Sequence, residues 1–244
     1  MPTDDEPRDV PATVVAPAKL TVSLRITGVR PDGYHLIDAE MVTLDLADEL
    51  TFGAGDGLEV VGARGLPVPA DDDNLVRRAL AAVGRRAHVR LVKHIPAGAG
   101  LGGGSADAAA VLRWAGVDDP ALAATLGADV PFCVRGGRAR VRGVGEVLEP
   151  LPFVDQAFTL VTPPFGCATP AVYRAWDDLG APRTDGPNDL EPAALVVEPR
   201  LAGWRDRLAT ATGETPVLAG SGSTWFVHGA FPDAGLVVRT APGA

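Results

Sequence analysis

Residues 98–104 of this chain read Gly-Ala-Gly-Leu-Gly-Gly-Gly, so five of seven positions carry no side chain. Such a run is entropically costly and suits a chain that must turn sharply or approach another group closely. The apolar stretch His88–Lys93 before it predicts a strand, and the Ala-rich stretch Ala106–Trp114 after it predicts a helix. The first N–H groups of that helix lack intrahelical partners and, with the helix dipole, favour an anion in the loop. The loop therefore predicts a phosphate cradle, with a tight flexible turn as the plain alternative. Ser105 stands at the expected N-cap, and its hydroxyl could equally serve a phosphate oxygen or a metal ion.

Two familiar phosphate motifs can be tested against the run. The Walker A pattern fails, because no Gly-Lys-Ser/Thr closes the loop. The dinucleotide fingerprint matches formally as Gly98-x-Gly100-x-x-Gly103, with Asp118 downstream. That reading, a nicotinamide-dependent oxidoreductase, needs a second parallel strand ending at the acid. Asp118 and Asp119 instead follow a helix and precede Pro120. The strand is missing, so phosphoryl transfer is the better reading.

Around the loop the pattern is α+β. Alternating Leu20, Val22, Leu24 and Ile26 predict a half-buried strand. A turn at Gly28–Gly33 and a returning strand at Ile37–Leu46 complete a long hairpin. A short pair is expected at Glu49–Gly53 and Leu58–Val61. Helices are expected at Asn74–Val83 and Pro120–Leu126, and strands at Val130–Val134, Arg138–Val141 and Glu146–Leu148. Beyond Pro150 come a strand at Phe158–Val161 and helices near Pro170–Asp178, Asn188–Val196 and Pro199–Ala209. Strands at Pro216–Leu218 and Thr224–His228 then flank a second small-residue turn, 219–223. Three units follow: a disordered tail over residues 1–12, an N-terminal half over 13–152 and a C-terminal half over 153–244.

The net charge of −9 argues against nucleic acid or an anionic membrane as partner. No apolar run approaches a membrane span and the acidic start lacks a signal-peptide pattern, so a cytoplasmic protein is expected. Cys133 and Cys167 are expected as buried free thiols. Of 22 basic residues only Lys19 and Lys93 are lysines. Each is therefore a compact, mobile ammonium in an arginine-rich chain.

The glycine loop, Pro17-Ala18-Lys19, Leu126-Gly127-Ala128-Asp129-Val130-Pro131-Phe132 and Gly220-Ser221-Gly222-Ser223 together resemble, in order, the motifs of the GHMP kinases. Ile26–His35, ending Asp32-Gly33-Tyr34-His35, narrows the resemblance to a branch acting on a cytidine-diphosphate alcohol. Asp73-Asn74-Leu75, Gly143–Glu146 and Asn188–Glu191 point the same way. The likeness runs from Pro17 to Phe226. It implies a GHMP fold of two packed halves with the active site between them. It also implies ATP- and Mg²⁺-dependent phosphorylation of a tertiary hydroxyl in the non-mevalonate route to isoprenoids, by a monomer or homodimer. Another GHMP kinase, for a sugar, homoserine or mevalonate-type alcohol, is the alternative.

Under the resemblance Lys19 and Asp129 become the catalytic pair, Asp129 as general base and Lys19 as stabiliser of the incipient alkoxide. Pro96, Ala97, Gly98, Ala99, Gly100, Leu101, Gly102, Gly103, Gly104 and Ser105 would hold ATP, with Asn74 and Lys93 toward the adenine and Ser105 as a candidate Mg²⁺ ligand. Tyr34 and His35 would meet the cytosine, and Tyr173 would add a second aromatic. Asp107 either faces substrate or simply favours the helix dipole. Gly220 and Ser221 either floor the substrate diphosphate or form only a β-turn. Thr21 stands where the family pattern usually has Asn, so the contact expected there loses an amide donor.

Overall fold

The computed structural model describes residues 12–63 and 65–243. The tail expected over residues 1–12 lies outside them except for Ala12, which already belongs to a strand.

The first sheet is built on one long hairpin. Strand β1 (Ala12–Val29) returns through the Asp32-Gly33 turn into β2 (His35–Gly53), and the two pair antiparallel almost throughout. The other edge of β2 is shared. β4 (His88–Val92) pairs with its far end, and β5 (Arg138–Gly143) pairs with its near end. β3 (Gly57–Val61) joins β4 in parallel, and β6 (Val147–Pro150) closes the opposite side against β5. Glu49–Gly53 is thus the end of β2 and not a separate strand paired with Leu58–Val61. No turn residue interrupts β2 before Gly53, so the ladder runs on.

Helices α1 (Leu75–Ala82), α2 (Gly103–Ala115), α3 (Pro120–Leu126) and α4 (Val130–Arg135) belong to this half. α2 lies closest, because Ala106, Ala108, Ala109 and Ala110 are all buried and their small side chains let it approach β1. Phe52 of β2 stacks on Trp114 of α2 at 4.4 Å with the rings 4° from parallel. Such a pair adds about 0.5–1.5 kcal/mol beyond its area.

Val130–Val134, expected as a strand, is helix α4. The run is apolar and partly β-branched, but Pro131 sits in the first turn, where its missing N–H costs nothing, and Gly136 ends the helix. The glycine-loop helix also begins earlier than expected. Its N-cap is Gly102 and its first residue Gly103, so Ser105 lies inside the first turn and is not the cap.

Between Pro150 and Ala157 the chain leaves the first sheet for a second, ordered β10-β7-β9-β8. Its strands are β7 (Ala157–Val161), β8 (Val217–Leu218), β9 (Trp225–His228) and β10 (Leu236–Arg239). β10 has no sequence counterpart among the expected strands; it has only four residues and one buried side chain. Helices α5 (Thr169–Asp178), α6 (Glu191–Val197) and α7 (Leu201–Thr212) accompany this sheet. The chain then returns to β2, where the Ala241 N–H donates to the Thr43 carbonyl at 2.8 Å.

Candidate active site

One cleft of about 830 Å³ is lined by residues of both halves. Every site residue named from the sequence lines it: residues 96–105, Lys19, Thr21, Tyr34, His35, Asn74, Lys93, Asp107, Asp129, Tyr173, Gly220 and Ser221.

Its floor is the glycine loop. Gly100 (φ +78°) is pressed against the second turn, so a Cβ there would stand 2.5 Å from the Gly222 carbonyl oxygen. At Gly102 (φ +71°) a Cβ would stand 2.7 Å from Lys19 Cγ. Glycine is required at both by conformation and by space. No side chain caps α2, so its first-turn N–H groups remain available to an anion. A triphosphate fits this donor set.

Lys19 is held over the loop by its own backbone, whose N–H donates to the Leu101 carbonyl at 3.0 Å. A register shift in β1 between Pro17 and Lys19 accompanies this tie. The buried ammonium lies 3.2 Å from Asp129 Oδ2 and donates to Thr21 Oγ1 at 3.1 Å. Thr21 thus keeps one polar contact where an Asn would bring two donors. Asp129 occupies the N-cap of α4, yet its carboxylate caps nothing. It is left to Lys19 and the cleft.

Beneath the loop lies a buried ionic triad. Lys93 donates to Asp48 Oδ2 and, at 2.7 Å, to Asp107 Oδ2. Asp48 Oδ1 also accepts the N–H groups of His94 and Ile95. Burial opposes the Lys93 charge, but the two carboxylates outweigh it and hold its pKa above the ordinary lysine value. Burial, aided by Asp48, pushes Asp107 up to about 7 against the pull of Lys93. Lys93, expected toward the adenine, therefore has its charge committed inside the protein. Asn74 is likewise occupied: it caps α1 by accepting from Val76 and donates to the Pro69 carbonyl at 2.7 Å.

At the far end Tyr34 is 59% exposed. The ring of His35 packs against Tyr173 at 4.7 Å and meets the edge of Trp176 at 5.6 Å. Asn188 donates to the carbonyls of Leu218 and Gly220, which shapes the second glycine turn from behind.

Asp48 and Asp177 have no place in the sequence reading. A signal for Asp48 existed: period two along β2 puts it on the inward face with Leu44, Leu50 and Phe52, where an acid needs a partner. Asp177, one turn beyond Tyr173, gave no such signal. Among the described residues no group of three or more His, Cys, Asp or Glu side chains could hold a metal ion. None of the described helices is long and apolar enough to cross a membrane.

Both thiols are buried and free. Burial pushes Cys133 up to about 12 and raises Cys167 as well. The native protein is expected to resist iodoacetamide at about pH 8 while both cysteines label after unfolding, read by mass spectrometry.

A glycine cradle facing a lysine–carboxylate pair across a cleft between two sheets defines a GHMP-type small-molecule kinase. The GHMP kinases N terminal domain profile matches residues 74–137. A 4-diphosphocytidyl-2-C-methyl-D-erythritol kinase of Paracoccus denitrificans is 40% identical, over 86% of this chain and 84% of the relative. One of the same name from Cereibacter sphaeroides (strain ATCC 17029 / ATH 2.4.9) is 38% identical over 94% and 93%. A crystal structure of 4-(cytidine 5'-diphospho)-2C-methyl-D-erythritol kinase superposes with a TM-score of 0.73 at 33% identity, covering 94% of this chain and all of that one. A homoserine kinase from Cytophaga hutchinsonii shares the fold at a TM-score of 0.62 and 17% identity. The chain belongs to the GHMP kinases, in the family of the 4-diphosphocytidyl-2-C-methyl-D-erythritol kinases.

Proposed function

We propose that this chain transfers the γ-phosphoryl group of ATP to the C2 hydroxyl of 4-diphosphocytidyl-2-C-methyl-D-erythritol, a step of the non-mevalonate route to isoprenoid precursors. The observation that carries the mechanism is the Lys19–Asp129 pair, set 3.2 Å apart beside the glycine cradle. Asp129 takes the proton of the C2 hydroxyl as its oxygen attacks the γ-phosphorus. The new O–P bond forms while the bond from the γ-phosphorus to the β-phosphate bridging oxygen breaks, and ADP leaves. Lys19 offsets the charge gathering on the attacking oxygen and the transferring group. A bound Mg²⁺ would neutralise phosphate charge; Ser105, in the first turn of α2, is the side chain placed to help hold it.

The halves are taken as residues 13–152 and 153–244. Lys93 and Asn74 serve ATP indirectly, by fixing the loop and the Pro67–Pro69 wall. Tyr34, His35 and Tyr173 form the cytidine end, and Gly220 and Ser221 floor the diphosphate. An ADP-release assay with the cytidyl substrate against homoserine, mevalonate and galactose tests the reading. Turnover with the cytidyl substrate alone is expected, and Tyr34→Ala should raise its KM about tenfold while sparing ATP. Preference for another alcohol would overturn it.

A further inference from the structure

We propose that Asp177 is a positioning residue that sets the tautomer of His35 and thereby makes the site prefer cytosine over uracil. The inference rests on the cytidine end described above. His35 Nε2 lies 2.9 Å from Asp177 Oδ1. A carboxylate only accepts, so the imidazole hydrogen stands on Nε2, and that tautomer presents a lone pair at Nδ1. The ring is clamped by Tyr173 and Trp176. Tyr173 and Asp177 are four residues apart on α5, so one helical face delivers both the stacking ring and the acceptor.

The end of the helix does not itself favour an acid at this place. Asp177 lies in the last turn of α5, where the helix dipole opposes negative charge and no basic residue compensates. Its side chain is 47% exposed, and among the described residues its side-chain hydrogen-bond partner is His35. A fixed acceptor at Nδ1 suits the amine at C4 of cytosine and repels the oxygen at C4 of uracil. Without Asp177 the hydrogen can move to Nδ1, and the ring then serves the uracil oxygen.

Calorimetric titration of cytidine and uridine 5′-diphosphates tests the assignment, with a saturating non-hydrolysable ATP analogue occupying the glycine loop. The wild-type protein is expected to prefer the cytidine compound. Asp177→Ala should narrow that preference by about tenfold, mainly through weaker cytidine binding. Asp177→Asn, whose amide oxygen still accepts from Nε2, should keep it. An unchanged KM for ATP reports intact folding. If Asp177→Ala weakens both nucleotides equally, Asp177 only steadies α5 and the proposal fails. If wild type and His35→Ala both bind the two nucleotides alike, the cytidine reading itself fails and the proposal with it.

Discussion

Asp129→Asn is expected to lower turnover by about 10²–10⁴ while leaving the KM for ATP within about twofold. The amide keeps the size of the carboxylate and can still accept from Lys19, but it cannot take up the proton of the attacking hydroxyl. The side chain caps no helix N–H, so the substitution removes no structural bond there. The loss should therefore fall on the chemical step alone. Single-turnover rates and equilibrium binding of ATP, measured side by side, separate the two. A fall of less than about tenfold would leave Asp129 as an electrostatic partner of Lys19 and put the base elsewhere.

Lys93→Met is expected to cost about 3–5 kcal/mol of stability, because it strands two buried carboxylates without their shared cation. For a chain of this size that is a drop in Tm of about 6–20 °C. Asp48 and Asp107 would then face each other unscreened, and Asp48 also anchors the turn into the glycine loop through His94 and Ile95. Adding Asp107→Asn to Lys93→Met should recover part of the loss by removing one of the stranded charges. Thermal unfolding with and without an ATP analogue reads both effects. A variant that melts like the parent but loses ATP affinity would make Lys93 a direct nucleotide contact.

Much of this site was legible in order along the chain. The glycine run, Lys19, the Gly-Ala-Asp-Val-Pro segment and the Tyr34-His35 turn are local signals, each with a residue type that its chemistry demands. The errors were also local. Val130–Val134 is too short for periodicity to separate helix from strand, and Pro131 in fact suited a helix start. Ser105 has the residue type of a good cap, but Gly102, at φ +71°, takes that place and the helix starts at Gly103. The triad escaped because Asp48 and Lys93 are 45 residues apart and their pairing depends on the register between β2 and β4.

The glycine loop shows the division most clearly. Seven residues sufficed to predict a phosphate cradle, because missing side chains, and the freedom to take positive φ that comes with them, are written in the sequence itself. Which group stands opposite that cradle is a different matter. Lys19 reaches it through a bulge in β1 and Asp129 through the start of α4, separated by 110 residues of chain (129 − 19). His35 meets Asp177 from the other half, 142 residues away. Such distances collapse only when buried apolar faces pack, since packing answers to the whole core and no local pattern encodes it. Sequence alone determined the kinds of chemistry; tertiary structure decided which groups share a proton, a charge or a base.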